Sequence, residues 1–270
     1  MTPEGYLKNI AKFDIVDKTG QVIPFILNQE QRKLLEGMIG RDVVLKSRQI
    51  GFSSLILAIF TLDFLLVNNS RAVVISHDTE SAQKLLDRVK FYLQSAEDKG
   101  LLIELKYSSR NELVNKRKNS TFYIGKAGSK TFGRGDTINN LHLSEWAYYE
   151  HPERLLASVL QAVTPTKSKV FIESTGNGMN YFKKFWDKSK AGETGFKSHF
   201  FDNTFYSKEF LSQKLRELGE EMYKQEYPAN DIEAFISSGS PFFNMKALGY
   251  FLENVKEPIE EYKNYHDLLV

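Results

Sequence analysis

Lys46, Arg48, Gly51, Ser53 and Ser54 fall within nine residues, KSRQIGFSS, directly after the β-branched run Val43-Val44-Leu45. A nucleotide-binding loop needs backbone amides that approach phosphate, a cation for the β- and γ-phosphates, and a hydroxyl on the Mg2+ side. This stretch holds all three: Lys46 and Arg48 as cations, Gly51 for the close backbone approach, and Ser53 or Ser54 as the hydroxyl. The usual order, G-x-x-x-x-G-K-[ST] opening a helix, is broken twice. Phe52 stands where the lysine belongs, and Lys46 stands where the first glycine belongs. A lysine side chain can reach phosphate from the start of such a loop as well as from its end, which leaves Phe52 free to pack. ATP contacts are therefore expected along Lys46, Ser47, Arg48, Gln49, Ile50, Gly51, Phe52, Ser53 and Ser54.

Two later runs end in groups that could act on a phosphate held there. LHLSEW is apolar and ends in Ser144-Glu145. Strand-borne acids of ATPases usually come as Asp-Glu, the first ordering the Mg2+ shell and the second polarising the attacking water. Ser144 in the first place keeps a hydroxyl for a metal-bound water but brings no charge. Glu145 is then the expected catalytic carboxylate, with Ser53 and Ser144 on the metal side, partly through water. FIESTGNG ends in Ser174-Thr175 ahead of two glycines, a polar strand end suited to sensing the γ-phosphate and relaying its loss. Alone, each has a plainer reading: a strand-to-helix turn, an exposed strand-end carboxylate, an ordinary turn. Together, in this order, they favour chemistry.

The elements that must position these groups alternate. LNQEQRKLLEGM (27–38) has helical spacing behind Asn28 as a cap, DVVLK is a short buried strand, and an apolar helix follows from Ser53. RAVVIS (71–76) is a second strand. DTESAQKLLDRVKFYLQSA is an amphipathic helix opened by Asp78 or Thr79. This β-α-β-α order implies a parallel sheet covered by helices. A polar hairpin-like region, a glycine-rich SKTFGRGDT, and core strands within 138–149 and 169–178 follow. Ligands of such sheets sit beyond the carboxyl ends of the strands. From about Phe210 one helical stretch leads into a turn-rich tail.

Composition narrows the class. The 270 residues are 41% hydrophobic, enough for a sizeable core. A net charge of +2 puts any basic surface in local patches, such as KNSTFYIGKAGSKTFGRG and NYFKKFWDKSK, where aromatics interleave with lysines. No cysteine is present, which removes disulfide and thiolate-metal chemistry. The longest apolar run, LILAIFTLDFLLV, is interrupted by Asp63 and falls short of the ~20 residues that span a bilayer. A soluble intracellular protein without a membrane partner is expected.

With LNQEQRKLLE ahead of the loop, AVVISHDTESAQKLLDRV behind it and QEYPANDIEAFISSGSPFF near the end, the ordered set resembles the ATPase domain of the large terminase subunit of tailed bacteriophages, over about residues 20–245. The resemblance implies an α/β fold of the ASCE-type P-loop NTPases, with a mainly parallel central sheet flanked by helices. It implies an ATP- and Mg2+-dependent motor that moves double-stranded DNA into a procapsid through the portal protein, with a small terminase subunit as a further partner. It also implies a homo-oligomeric ring when assembled, a monomer in isolation, and action in the cytoplasm of the infected host. In that family some members carry the P-loop lysine at the start of the loop, as Lys46 does. Gln31 matches the adenine-contacting glutamine, Glu145 the catalytic carboxylate and Ser174-Thr175 the coupling motif. Arg48, within the subunit, and Arg134, reaching a neighbour, compete for the arginine finger. Residues 1–235 are expected to form the ATPase domain and 236–270 a linker, with no nuclease activity from this chain. The alternatives are a helicase-like ATPase, which normally adds a second motor domain, and an assembly module that binds nucleotide or DNA without turnover.

Overall fold

A computed structural model describes residues 1–127 and 137–236, together with Tyr250, Phe251, Asn254 and Val255. In chain order the elements are α1 (Pro3–Ile10), β1 (Asp14–Val16), β2 (Val22–Pro24), α2 (Gln29–Gly37), β3 (Arg41–Lys46), α3 (Phe52–Leu66), β4 (Arg71–Ser76), α4 (Thr79–Asp98), β5 (Leu105–Ser108), β6 (Glu112–Asn115), β7 (Ser120–Lys126), β8 (Asn140–Ser144), α5 (Pro152–Leu160), β9 (Lys169–Ser174), α6 (Tyr181–Lys190), β10 (Lys197–Phe201), α7 (Lys208–Glu226) and α8 (Glu233–Ile236). All lie in the first of two compact units, residues 1–237 and 238–270.

Among the described residues, eight strands form one sheet in the order β10-β3-β9-β8-β4-β7-β6-β5. The six from β10 to β7 run parallel, and β6 and β5 extend the β7 edge as an antiparallel meander. The hairpin-like character of residues 103–127 is thus part of the main sheet.

Each strand divides its side chains between two apolar layers, as a period of two requires. On β3, Val44 joins the layer beneath α1, α3 and α4, whereas Val43 and Leu45 join the layer holding α5 and α6. On β9, Phe171 joins the first layer, and Val170 and Ile172 the second. α3 is apolar on every side, and all residues from Leu55 to Leu65 are buried; a helix of that kind belongs inside the molecule. Its one acid, Asp63, is satisfied by Tyr6 Oη at 2.6 Å, Asn140 Nδ2 at 3.0 Å and Lys169 Nζ at 2.7 Å.

Three sequence expectations change. The strand within 138–149 stops at Ser144, because Glu145 takes a left-handed conformation (φ 56°, ψ 46°) and a short 3-10 turn follows over Trp146–Tyr148. Three of the four aromatics of NYFKKFWDKSK, Phe182, Phe185 and Trp186, are buried core residues of α6 and offer no platform to nucleic acid, and Tyr181 is half-buried against the same layer. The expected single helix after Phe210 is α7, broken at Gly219 (φ 74°).

One glycine fixes how the polar end of β9 meets α8. A Cβ on Gly176 would stand 1.7 Å from the Ala234 carbonyl oxygen, a backbone atom that no side-chain rotation can move aside. Gly176→Ala is therefore expected to destabilise the domain by about 3 kcal/mol or more, the upper range of overpacking. Urea unfolding of the variant beside wild type measures it.

Candidate nucleotide site

Side-chain parity brings the site together. Lys46 shares the α3-facing side of β3 with Val44, Glu173 shares that side of β9 with Phe171, and Ser144 shares that side of β8 with His142, whose ring meets Phe60 of α3 edge-on. The three strands are adjacent, with Val44 paired to Glu173 and Ser144 paired to Glu173. Their carboxyl ends therefore present a lysine, a carboxylate and a hydroxyl to the amino-terminus of α3.

Lys46 is buried, and its Nζ lies 3.1 Å from Glu145 Oε1 and 3.2 Å from Glu173 Oε2. Burial opposes its charge, but Glu145 and Glu173 together outweigh that cost and raise its pKa. Glu145 sits at the β8 end in its left-handed conformation, which is uncommon and costly for a residue with a side chain and tends to mark functional sites. The turn aims the carboxylate at Lys46 and at Ser174, whose Oγ lies 3.4 Å from Glu145 Oε2. Ser174 Oγ also accepts from the Ala147 amide at 3.2 Å. Thr175 Oγ1 shares a 3.1 Å hydrogen bond with Tyr148 Oη. Of three groups expected to act together, Glu145 thus touches both Lys46 and Ser174.

The loop between β3 and α3 is shaped by two left-handed residues, Gln49 (φ 63°) and Gly51 (φ 93°). Gly51 is the residue for this place because of its φ, which side chains rarely adopt. No side chain caps the first turn of α3, which leaves its amides directed at the space above the loop. Phe52 is turned inward, 1% exposed, with its ring 4.4 Å from that of Phe201. The residue in the usual lysine position is therefore a core residue.

Ser53 Oγ donates to Glu173 Oε1 at 2.7 Å, and Ser54 Oγ accepts from Arg88 at 3.1 Å. The Ser47 amide donates to Phe201 O at 2.8 Å, while its buried Oγ has no hydrogen-bond partner. Arg48 reaches across the loop to Glu226 at the end of α7, 3.0 Å away, and its amide donates to the Glu226 carbonyl at 2.8 Å. Tyr206 Oη donates to the Arg48 carbonyl. Gln31 is 4% exposed and both ends of its amide are engaged: Oε1 accepts from the Asn28 amide at 3.0 Å and Nε2 donates to Gly51 O at 2.8 Å. It holds the loop in this structure. Ile50 is buried, with its carbonyl accepting from Asn28 Nδ2 at 3.0 Å. Arg134 lies outside the described residues.

A cavity of about 850 Å3 opens over the loop, lined among others by Lys46, Arg48, Gly51, Ser53, Glu145 and Thr175. Glu226 and Val16 also line it. Its size suits a nucleotide. On the side where Ser53 and Glu145 line the cavity the donors are oxygens, with Glu173 and Ser144 buried behind Ser53; oxygen is the donor that Mg2+ prefers. Among the described residues no cluster of three His, Cys, Asp or Glu forms a self-contained metal cage; Mg2+ is normally held through one or two carboxylates and substrate phosphate, not by an all-protein cage. The uncapped helix and this donor set fit a Mg2+-nucleotide.

Sequence reasoning passed over Glu173 and Glu226. Glu173 had a signal: an acid inside a strand buried on both faces is rare unless paired. Glu226 had none, since its partner is 178 positions away.

No family model matches the chain. Solved structures do. The ATPase domain of the Thermus phage P74-26 large terminase superposes with a TM-score of 0.64 at 16% identity, over 75% of this chain and 93% of that one. The HK97 bacteriophage large terminase gives 0.68 at 17% identity, over 92% of this chain and 58% of that one. The large terminase of a thermophilic bacteriophage, in complex with ADP, gives 0.59 at 14%, over 74% of this chain and 52% of that one. The fold is therefore α/β, with a mostly parallel central sheet flanked by helices. It is the variant of that fold found in phage large terminase ATPase domains, as the sequence resemblance implied. The chain spans about half the length of the HK97 protein and of the ADP-bound terminase.

Proposed function

We propose that this chain is the ATP-hydrolysing motor domain of a phage large terminase, coupling hydrolysis to movement of double-stranded DNA into a procapsid. The observation that carries the reading is the meeting of Lys46, Glu145 and Ser174 at the carboxyl ends of three adjacent strands. The terminase folds reported above, one of them in complex with ADP, support it.

Within this reading Lys46 neutralises the β- and γ-phosphates of ATP, and the α3 amides hold them. Phosphate competes with Glu145 for Lys46, and the released carboxylate orients and deprotonates the attacking water. Mg2+, when bound, would neutralise charge on the phosphates beside Ser53 and Ser144. Ser174, bonded to Glu145, and Thr175, bonded to Tyr148, carry the loss of the γ-phosphate toward the 3-10 turn and α8. Gln31 secures Gly51 on the adenine side. Residues 1–235 form the motor, and 236–270, largely outside the described residues, lead onward. Double-stranded DNA, the portal protein and a small terminase subunit are the partners, met in the host cytoplasm and at the portal.

Arg134 is placed in this reading as a finger supplied to a neighbouring subunit's site in a ring, with Arg48 as the residue that acts within its own subunit. Such fingers are commonly worth ~10³ or more in rate. Mixing Arg134→Ala subunits with Lys46→Ala subunits, in the presence of linear double-stranded DNA and portal, is expected to recover ATP hydrolysis that neither variant shows alone. A mixture no more active than its parts, where wild type forms rings and hydrolyses ATP, would rule out the shared site. DNA that fails to raise the wild-type rate would count against the motor reading.

A further inference from the structure

The acid absent from position 144 has a counterpart one strand away. Ser144 pairs in register with Glu173, and Ser144 Oγ donates to Glu173 Oε1 at 3.0 Å. The same oxygen accepts from Ser53 Oγ at 2.7 Å, and His142 Nε2 lies 3.3 Å from it. In P-loop NTPases a strand-end aspartate and the loop serine or threonine together hold Mg2+. Here the group in contact with the loop serine is Glu173, reaching sideways from β9. It is fully buried, and its second oxygen, 3.2 Å from Lys46 Nζ, accepts no well-directed hydrogen bond.

We infer that Glu173 is the metal-side carboxylate of this site, taking over across the β8-β9 register the charge that Ser144 lacks. Ser144 then serves to orient Glu173. The inference rests on the nucleotide-binding reading above and adds a residue to it. A carboxylate whose only task were to neutralise Lys46 would not need two serines on its other oxygen. A buried acid fixed by four neighbours, one of them the Ser53 hydroxyl that lines the cavity, would offset the charge of a divalent cation held by Ser53. The geometry also sets the expectation for Ser144→Asp. Instead of restoring a missing acid, it places a second buried carboxylate against Glu173, where like charges disfavour each other.

The test reads metal binding without turnover. Affinity for ATPγS is measured with Mg2+ and with EDTA, and Mn2+ binding in the presence of ATPγS is followed by electron paramagnetic resonance. Wild type should bind more tightly with metal. Glu173→Gln should lose 10- to 100-fold of that metal-dependent gain, read as the ratio of its own affinities with Mg2+ and with EDTA, the range seen when groups supporting a metal are removed. Glu173→Gln/Ser144→Asp should recover most of the gain, because the acid is returned from the neighbouring strand. Ser144→Asp alone should show none beyond wild type. Should Glu173→Gln fail to fold, the double variant and Ser144→Asp decide. A double variant without a metal-dependent gain, or Ser144→Asp binding Mn2+ tenfold more tightly than wild type, overturns the assignment. Glu173→Gln retaining the full metal-dependent gain does so as well. Failure of the nucleotide reading looks different: wild type would then bind no ATPγS under either condition.

Discussion

Lys46→Ala should reduce ATP hydrolysis by three orders of magnitude or more, whereas Phe52→Ala should leave the rate per folded molecule near that of wild type. Removing a preorganised charge from a phosphate site commonly costs several kcal/mol of transition-state stabilisation. Both variants also lose stability. Without Lys46 the buried Glu173 charge stands uncompensated, a loss of about 3–5 kcal/mol. Without the Phe52 ring, packed at 4.4 Å on Phe201, the core loses about as much. The pair is therefore its own control, with similar unfolding midpoints and opposite catalytic outcomes. Phosphate release at a temperature where both are folded by circular dichroism decides. If Lys46→Ala hydrolyses ATP as wild type does, the loop does not take its lysine from its first position.

Glu145→Gln should retain ATP binding and lose about 10²–10⁴ in turnover, the span of general-base contributions. The amide keeps the size of the side chain and its bond to Ser174, but it cannot accept a proton. Its effect on stability should be small, because Glu145 is about one-third exposed and Lys46 keeps Glu173 as a partner. Equilibrium binding of a fluorescent ATP analogue and single-turnover hydrolysis separate the two quantities. A Glu145→Gln variant that turns over near the wild-type rate would show that another carboxylate does the work.

The parts of this site legible in the sequence are those announced by a strand ending in polar residues. RAVVIS is a strand over the residues expected, and DVVLK delivers Lys46 to the sheet's carboxyl edge as its run implies. Asp78 caps α4 through the Ser81 amide at 2.8 Å. What escaped depends on contacts between distant segments. β10, Lys197–Phe201, is a half-buried edge strand with two polar residues and a histidine, too weakly patterned to stand out. The left-handed turn at Glu145 has no glycine to announce it, so the apolar pattern carries the strand past its true end. In α6 the same helical spacing serves a basic face and an aromatic core, and composition alone cannot say which is inside. Gln31 lies beside the loop with its amide engaged at Gly51, a contact fixed by the left-handed turn there.

The most direct test of the central claim is a single-turnover measurement of phosphate release from γ-labelled ATP. Wild-type protein in excess over nucleotide is used, with Mg2+ and double-stranded DNA, beside Glu145→Gln. The account predicts that wild type converts bound ATP to ADP and phosphate while Glu145→Gln holds ATP uncleaved. Wild type that binds ATP yet releases no more phosphate than Glu145→Gln would contradict it, and would make the domain a nucleotide-binding assembly module.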